Sequence, residues 1–229
     1  MAPSFIEPET PPAGLRRSVP DVATALREAI TVGTYQPNER LVEEELAKSL
    51  GTNRAVVRGA LALLHQEGLV VRERNRGARV RAISVDEAVE ILEARSALEG
   101  VVARRAAERM TDEHARTLRA LLAQMREKQA SGELQAYSEL NARFHRTIRS
   151  IAAHATSEKL LALLQSQAVR YQFRTVLRPG RPAESLAEHT GILNALLAHD
   201  PDAAERAARH HVAGVINAVR AIAALRLPE

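Results

Sequence analysis

A chain of 229 residues, 45% of them hydrophobic, can bury a sizeable core and is long enough for two modest domains. It holds no cysteine, which excludes a disulfide framework, a thiolate metal site and a cysteine nucleophile. The formal charge is only +4, and aromatics make up 3% of the chain, a composition that disfavours base-stacking platforms for RNA or single strands.

No apolar run approaches the roughly 20 residues of a membrane span, and the N-terminus lacks the apolar core of a signal peptide. A cytoplasmic protein without a membrane partner is therefore expected. Residues 1–18 carry Pro8, Pro11 and Pro12, with Arg16 and Arg17 close behind. They are expected to form a flexible arm rather than a DNA-backbone contact. Val22, Leu26, Ala29 and Ile30 then predict a helix over 21–32, ended by Gly33.

The stretch from Leu41 to Gly68 reads as two short amphipathic helices around a tight turn. Leu46, Ala47 and Leu50 fall at helical spacing, and Gly51 stands where a left-handed residue ends a helix. Asn53 is suited to cap a second helix, whose buried stripe is Val57, Ala60, Leu61 and Leu64. Arg54 and Arg58 project off that stripe. This is the helix-turn-helix pattern, in which the start of the second helix enters the DNA major groove; a plain helical hairpin is the bland alternative.

Two short strands, Leu69–Val71 and Ala78–Ala82, flank a charged turn and predict a wing. Between Thr52 and Arg81 stand seven arginines (Arg54, Arg58, Arg72, Arg74, Arg76, Arg79 and Arg81) and only two acids, Glu67 and Glu73. This one segment is more positive than the whole chain. The arginine fork suits phosphate and guanine, because it can bond two acceptors at once. A winged-helix domain over residues 19–82 is expected.

Ile83 is the expected hinge. Ser84 and Glu87 form a capping box, and helices are predicted at about 85–110, 112–130, 133–152, 156–177, 184–199 and 201–225. The second domain, 83–229, is thus an all-α bundle of six or seven helices. No phosphate loop, nucleophile elbow or Walker pattern appears. Asn141 and His145 are four apart and share a helix face, while His189 and His211 lie on the fifth and sixth helices of the bundle. One amide oxygen and three imidazoles from three helices could converge, as bundle metal sites do. His65, His114, His154 and His199 are read as surface residues.

Several of these runs resemble the GntR family of bacterial transcription regulators. In the first domain the resemblance rests on Pro37-Asn38-Glu39-Arg40-Leu41, Glu45-Leu46-Ala47, the segment Leu50 to Leu61 and Glu67-Gly68-Leu69-Val70. Asn38 stands where the family usually has Gly, Asn53 where it has Ser or Thr, Val56 where Pro is common and Gly59 where Glu is usual. Glu44 occupies a position that is basic in some DNA-contacting relatives. The resemblance implies that Arg54 and Arg58 read bases and phosphates, with Asn53 and Ala55 beside them and Arg76 and Gly77 at the wing tip.

In the second domain Glu93-Ala94-Arg95, Leu98-Glu99, Asn141, Phe144-His145, Glu188-His189, Ile192-Leu193 and His211 resemble the FCD ligand-binding domain of the FadR-type branch. Six helices suggest its VanR-type subgroup. The resemblance implies a divalent metal held by one Asp and three His, here Asn141, His145, His189 and His211, with zinc or nickel suited to imidazole. Asn141 in place of Asp removes a charge. Arg95 is expected either to pair with Glu93 or Glu99 or to clamp a small carboxylate effector, with Tyr171 and Arg174 lining the same pocket.

Together these features predict a homodimeric regulator on a short palindromic operator in double-stranded DNA, and no enzyme. Two alternatives remain at this point: a metalloenzyme in the bundle, and an architectural DNA-binding protein with a purely structural bundle.

Overall fold

The computed structural model describes residues 17–73 and 77–224, and of residues 73 and 165–174 it describes the backbone alone. The described residues divide into two compact units, one within 17–30 and 35–81 and the other within 31–34 and 82–224.

The first unit has the helices α1 (Val19–Val32), α2 (Glu43–Ser49) and α3 (Arg54–Gln66) and the strands β1 (Arg40–Leu41), β2 (Val70–Glu73) and β3 (Gly77–Val80). Helix α1 begins two residues before the expected start. Ser18 caps it: the Ser18 N–H donates to Asp21 Oδ2 at 2.9 Å, and the Asp21 N–H donates back to Ser18 Oγ. Pro20 falls in the first turn, where its missing N–H costs nothing. Asn53 caps α3 as expected, its Oδ1 accepting from the Val56 N–H at 3.0 Å. Val57, Ala60, Leu61 and Leu64 are buried together with Leu26 and Ile30 of α1.

Two departures have physical causes. The helix-turn-helix begins at Glu43 rather than Leu41, because Arg40 and Leu41 pair with Arg79 and Ala78 as a third strand. A two-residue strand has no periodicity to read. Gly59 also has a reason to replace the bulkier residue usual there: a Cβ would lie 2.9 Å from Val19 Cγ2 at the start of α1. Asn38 has φ +66°, which explains both the family's Gly and the tolerance of Asn.

The sheet order is β1-β3-β2, all antiparallel, with Val70 opposite Val80 and Glu73 opposite Gly77. Ala78 and Val80 face inward and are buried. Residues 74–76, the wing tip with Arg76, lie outside the described residues.

The second unit contains α4 (Val85–Glu108), α5 (Asp112–Ala130), α6 (Leu134–Ala152), α7 (Ala155–Val176), α8 (Arg181–Leu197) and α9 (Pro201–Ala224). Ser84 caps α4, accepting from the Glu87 N–H at 3.0 Å. Phe144, Tyr137, Leu118, Met125 and Leu196 are fully buried in its core. Helix α8 starts three residues earlier than the sequence suggests. Gly180, at φ +82°, supplies the left-handed N-cap, and Pro182 is accommodated in the first turn. The shift matters because it puts Arg181 on the helix.

Candidate DNA-reading face and three-histidine pocket

In the first unit Asn53, Arg54, Ala55 and Arg58 are all exposed at the start of α3. Between α3 and the wing lies a groove of about 470 Å³ lined by Arg40, Arg54, Arg58, Arg72, Glu43 and Glu44, among others. Asn53 Oδ1 is engaged in the helix cap. Gly77 has φ +86°, and a Cβ there would stand 3.0 Å from the Leu41 carbonyl oxygen, so the strand pairing needs a glycine.

Glu43 is the residue that sequence reasoning missed on this face. Its carboxylate accepts from Arg58 Nε at 3.3 Å and from the Arg58 terminal nitrogen at 3.1 Å, and it lies 3.9 Å from Arg54. One acid thus sits between both expected reading arginines. Glu67, one of the segment's two acids, is engaged elsewhere, in a two-point bond with Arg27 at 2.7 and 2.9 Å.

In the second unit α6 carries Asn141 and His145, α8 carries His189 and α9 carries His211. The three imidazoles come together: each offers a nitrogen within 4.8 Å of the others, an arrangement that could hold a metal ion. His145 Nε2 and His189 Nε2 are 3.0 Å apart. Bonds of about 2.1 Å at a tetrahedral angle would separate two nitrogens by about 3.4 Å, so a small shift would admit zinc. Phe144 packs edge-on against both rings, with centroids 5.9 Å from His145 and 5.1 Å from His189.

The electrostatics favour neutral ligand nitrogens. Burial lowers His145 to about 3, against a smaller opposing effect of the Glu99 charge, and burial lowers His189 well below its ordinary value. His211 Nδ1 bonds Glu188 Oε2 at 2.7 Å, and His189 Nδ1 faces Ser185 Oγ at 3.4 Å.

A cavity of about 200 Å³ opens beside these rings. Asn141, His145, His211, Arg95, Arg181, Tyr137 and Ser185 contribute to its wall. Asn141 Oδ1 is buried and accepts no hydrogen bond from any described residue. An orphaned buried carbonyl oxygen is costly unless something binds it, so the donor set fits a cation or a polar ligand.

Arg95 takes the pairing alternative, bonding Glu99 one helical turn on. Both side chains are about one-tenth exposed. Burial would raise the Glu99 carboxyl, but the Arg95 charge, helped by His145 and His211, outweighs it and brings it to about 2. The side chains of Tyr171 and Arg174 lie outside the described residues.

Sequence reasoning assigns no role to Arg181 or to the Glu188 carboxylate. Arg181 is 3% exposed and bonds both Glu188 oxygens at 2.7 Å. The signal is an i, i+7 pair beside His189, and a helix predicted only from residue 184 leaves Arg181 outside it. His154 is also more than a surface residue: its Nδ1 accepts from the Ser157 N–H at 3.1 Å, capping α7.

Among the described residues, no helix is long and apolar enough to cross a membrane. Comparison with known proteins places both units. Residues 19–80 match the family described as "Bacterial regulatory proteins, gntR family", and residues 90–214 match "FCD domain". The chain is 34% identical over 181 residues, 77% of each protein, to the "Probable D-xylose utilization operon transcriptional repressor" of Paenarthrobacter nicotinovorans. It is 29% identical over 197 residues, 86% of each, to the "HTH-type transcriptional repressor RspR" of Escherichia coli K12.

Among solved structures, E. coli McbR/YncC shares the fold with a TM-score of 0.72 at 22% identity, over 92% of this chain and 98% of that one. A GntR regulator of Rhodococcus sp. RHA1 does so at 0.70 and 22%, over 89% and 97%. The family and these curated relatives are regulators, not enzymes. The chain belongs to the GntR family of bacterial regulatory proteins, in the FadR-type branch that carries an FCD domain, and is a DNA-binding transcription regulator.

Proposed function

We propose that this regulator is a cytoplasmic, homodimeric repressor whose hold on a short palindromic operator is set by a small carboxylate bound beside a divalent metal ion in each helical unit. The observation that carries the reading is the donor set: three converging imidazoles, two of them (His145 and His211) on the wall of the cavity that also holds the partnerless Asn141 Oδ1. His145, His189 and His211 would hold the ion, with Asn141 as a neutral fourth ligand. Zinc or nickel matches imidazole, and the ion would supply a positive centre for the effector's carboxylate.

Arg95 and Arg181 add positive charge to the same wall, Arg95 paired with Glu99 and Arg181 with Glu188 and, at 3.7 Å, Glu184. Six helices in the described second unit support the VanR-type subgroup. On the DNA side, Arg54 and Arg58 are the proposed readers, with Asn53 and Ala55 beside them and Gly77 setting the wing. Arg76 joins them on the family pattern alone.

Gel-shift titration on the DNA upstream of the protein's own gene, with and without a panel of small organic acids, tests the reading together with elemental analysis of untagged protein purified without chelator. Retarded DNA, release by one acid class and about one metal ion per subunit are expected. DNA binding indifferent to every acid would favour an architectural role.

The direct His145–His189 hydrogen bond supports one variant of this reading, a metal-free pocket in which the histidines bond the effector themselves. Protein that takes up neither zinc nor nickel, yet still responds to an acid, would select it.

A further inference from the structure

We propose that Glu188 is the positioning residue of the three-histidine site, fixing the tautomer of His211 so that its Nε2 lone pair faces the other two rings; this rests on the metal reading above. An imidazole can offer a ring nitrogen to a metal only if that nitrogen carries no proton, and which nitrogen is free is set by the bond the other makes. Glu188 Oε2 lies 2.7 Å from His211 Nδ1. An ionised carboxylate only accepts, so Nδ1 must donate and Nε2 is left open.

Glu188 is itself held from behind. Arg181, 3% exposed, bonds both of its oxygens at 2.7 Å. The two residues are seven apart on α8, two helical turns along one face, so the guanidinium fork meets the carboxylate squarely. Space for this arrangement comes from Gly214 on α9: a Cβ there would collide with Glu188 Oε1 and approach Arg181. Gly214 sits inside a 24-residue helix where glycine is otherwise a cost, and the room it leaves for Glu188 accounts for it. Arg181, Glu188 and Gly214 therefore form one device on two helices, with His211 as its output.

The test uses the full-length protein and zinc itself, with affinity read by competition against a chromophoric chelator. Glu188→Gln is expected to weaken zinc binding about 10- to 100-fold. Gly214→Ala, which pushes the Glu188 side chain aside, is expected to do the same. Glu127→Gln, which removes an exposed carboxylate on α5 away from the histidines, is expected to leave the affinity within about twofold.

A second readout needs no variant. Nitrogen NMR of metal-free wild type should find His211 protonated at Nδ1 and not at Nε2. Zinc affinity unchanged in folded Glu188→Gln, equal loss in Glu127→Gln, or wild-type His211 protonated at Nε2 would each overturn this inference while leaving the metal reading intact. A wild type that takes up no zinc would overturn both.

Discussion

The two units use the same side chain in opposite ways. On the proposed DNA-reading face, Arg54 and Arg58 have side chains 61% and 56% exposed and share a single acid, Glu43. Around the histidine pocket, Arg95 and Arg181 are almost wholly buried and each has a carboxylate of its own. Exposed arginines are screened by salt and free to exchange a weak partner for phosphate or a base edge. Buried ones are committed: removing either partner strands an uncompensated charge. The first unit keeps its charge available, and the second uses charge to hold other groups still.

The comparison breaks most visibly at Arg181. Arg181→Ala leaves Glu188 buried without its cation and is expected to cost about 3–5 kcal/mol of unfolding free energy in urea titration. A loss below about 1 kcal/mol would put Arg181 with the exposed class after all.

Arg54→Ala and Arg58→Ala should do the reverse. Melting should stay at the wild-type temperature, while operator affinity falls by about tenfold or more per half-site, and by the square of that in a dimer. Wild-type affinity in both variants would remove α3 from the recognition role.

Acid should separate the units next. His145, lowered to about 3, binds a proton in the unfolded chain near pH 6.5 but not in the folded one. Its contribution to stability is therefore lost as pH falls below about 6.5 toward 3. Glu99 and Glu188, both near 2, add a loss as pH falls through the ordinary carboxylate range. Metal-free protein at pH 4.5 should lose on the order of 3 kcal/mol relative to pH 7. Amide exchange should accelerate in residues 85–224 before it does in 17–73. Uniform loss of protection would mean that the buried network is not the acid-sensitive part.

The smallest effect belongs to Glu43. Glu43→Gln removes a negative charge from the groove and should raise affinity for random-sequence duplex a few-fold at low salt, with less gain on the operator. A drop in random-duplex binding would show instead that Glu43 holds Arg58 in its binding pose.

Much of the fold was legible because its signals are local. Asn53 and Ser84 cap helices through bonds to the third residue on. Gly33, Gly51 and Gly68 end helices at positive φ, a conformation that a Cβ on the residue itself would resist. The stripe Val57, Ala60, Leu61 and Leu64 follows from helical period alone. The same locality placed Asn141 and His145 on one face. Where a signal was too short or was masked by a breaker, the reading slipped: β1 has only two residues, and Pro182 hid the first turn of α8.

What only the tertiary structure decided are the pairings between residues far apart in the chain. His145 meets His189 across 44 positions, Glu188 meets His211 across 23 and Arg27 meets Glu67 across 40. Each of these side chains had another plausible partner or solvent available in sequence terms, and packing selected one. The sequence by itself determined the helices, their caps, the basic winged segment and the types of ligand residue, because those depend on neighbours within a few positions. It left open which arginines of the helical unit would be buried, because burial depends on the elements that close over a residue, and those come from elsewhere in the chain.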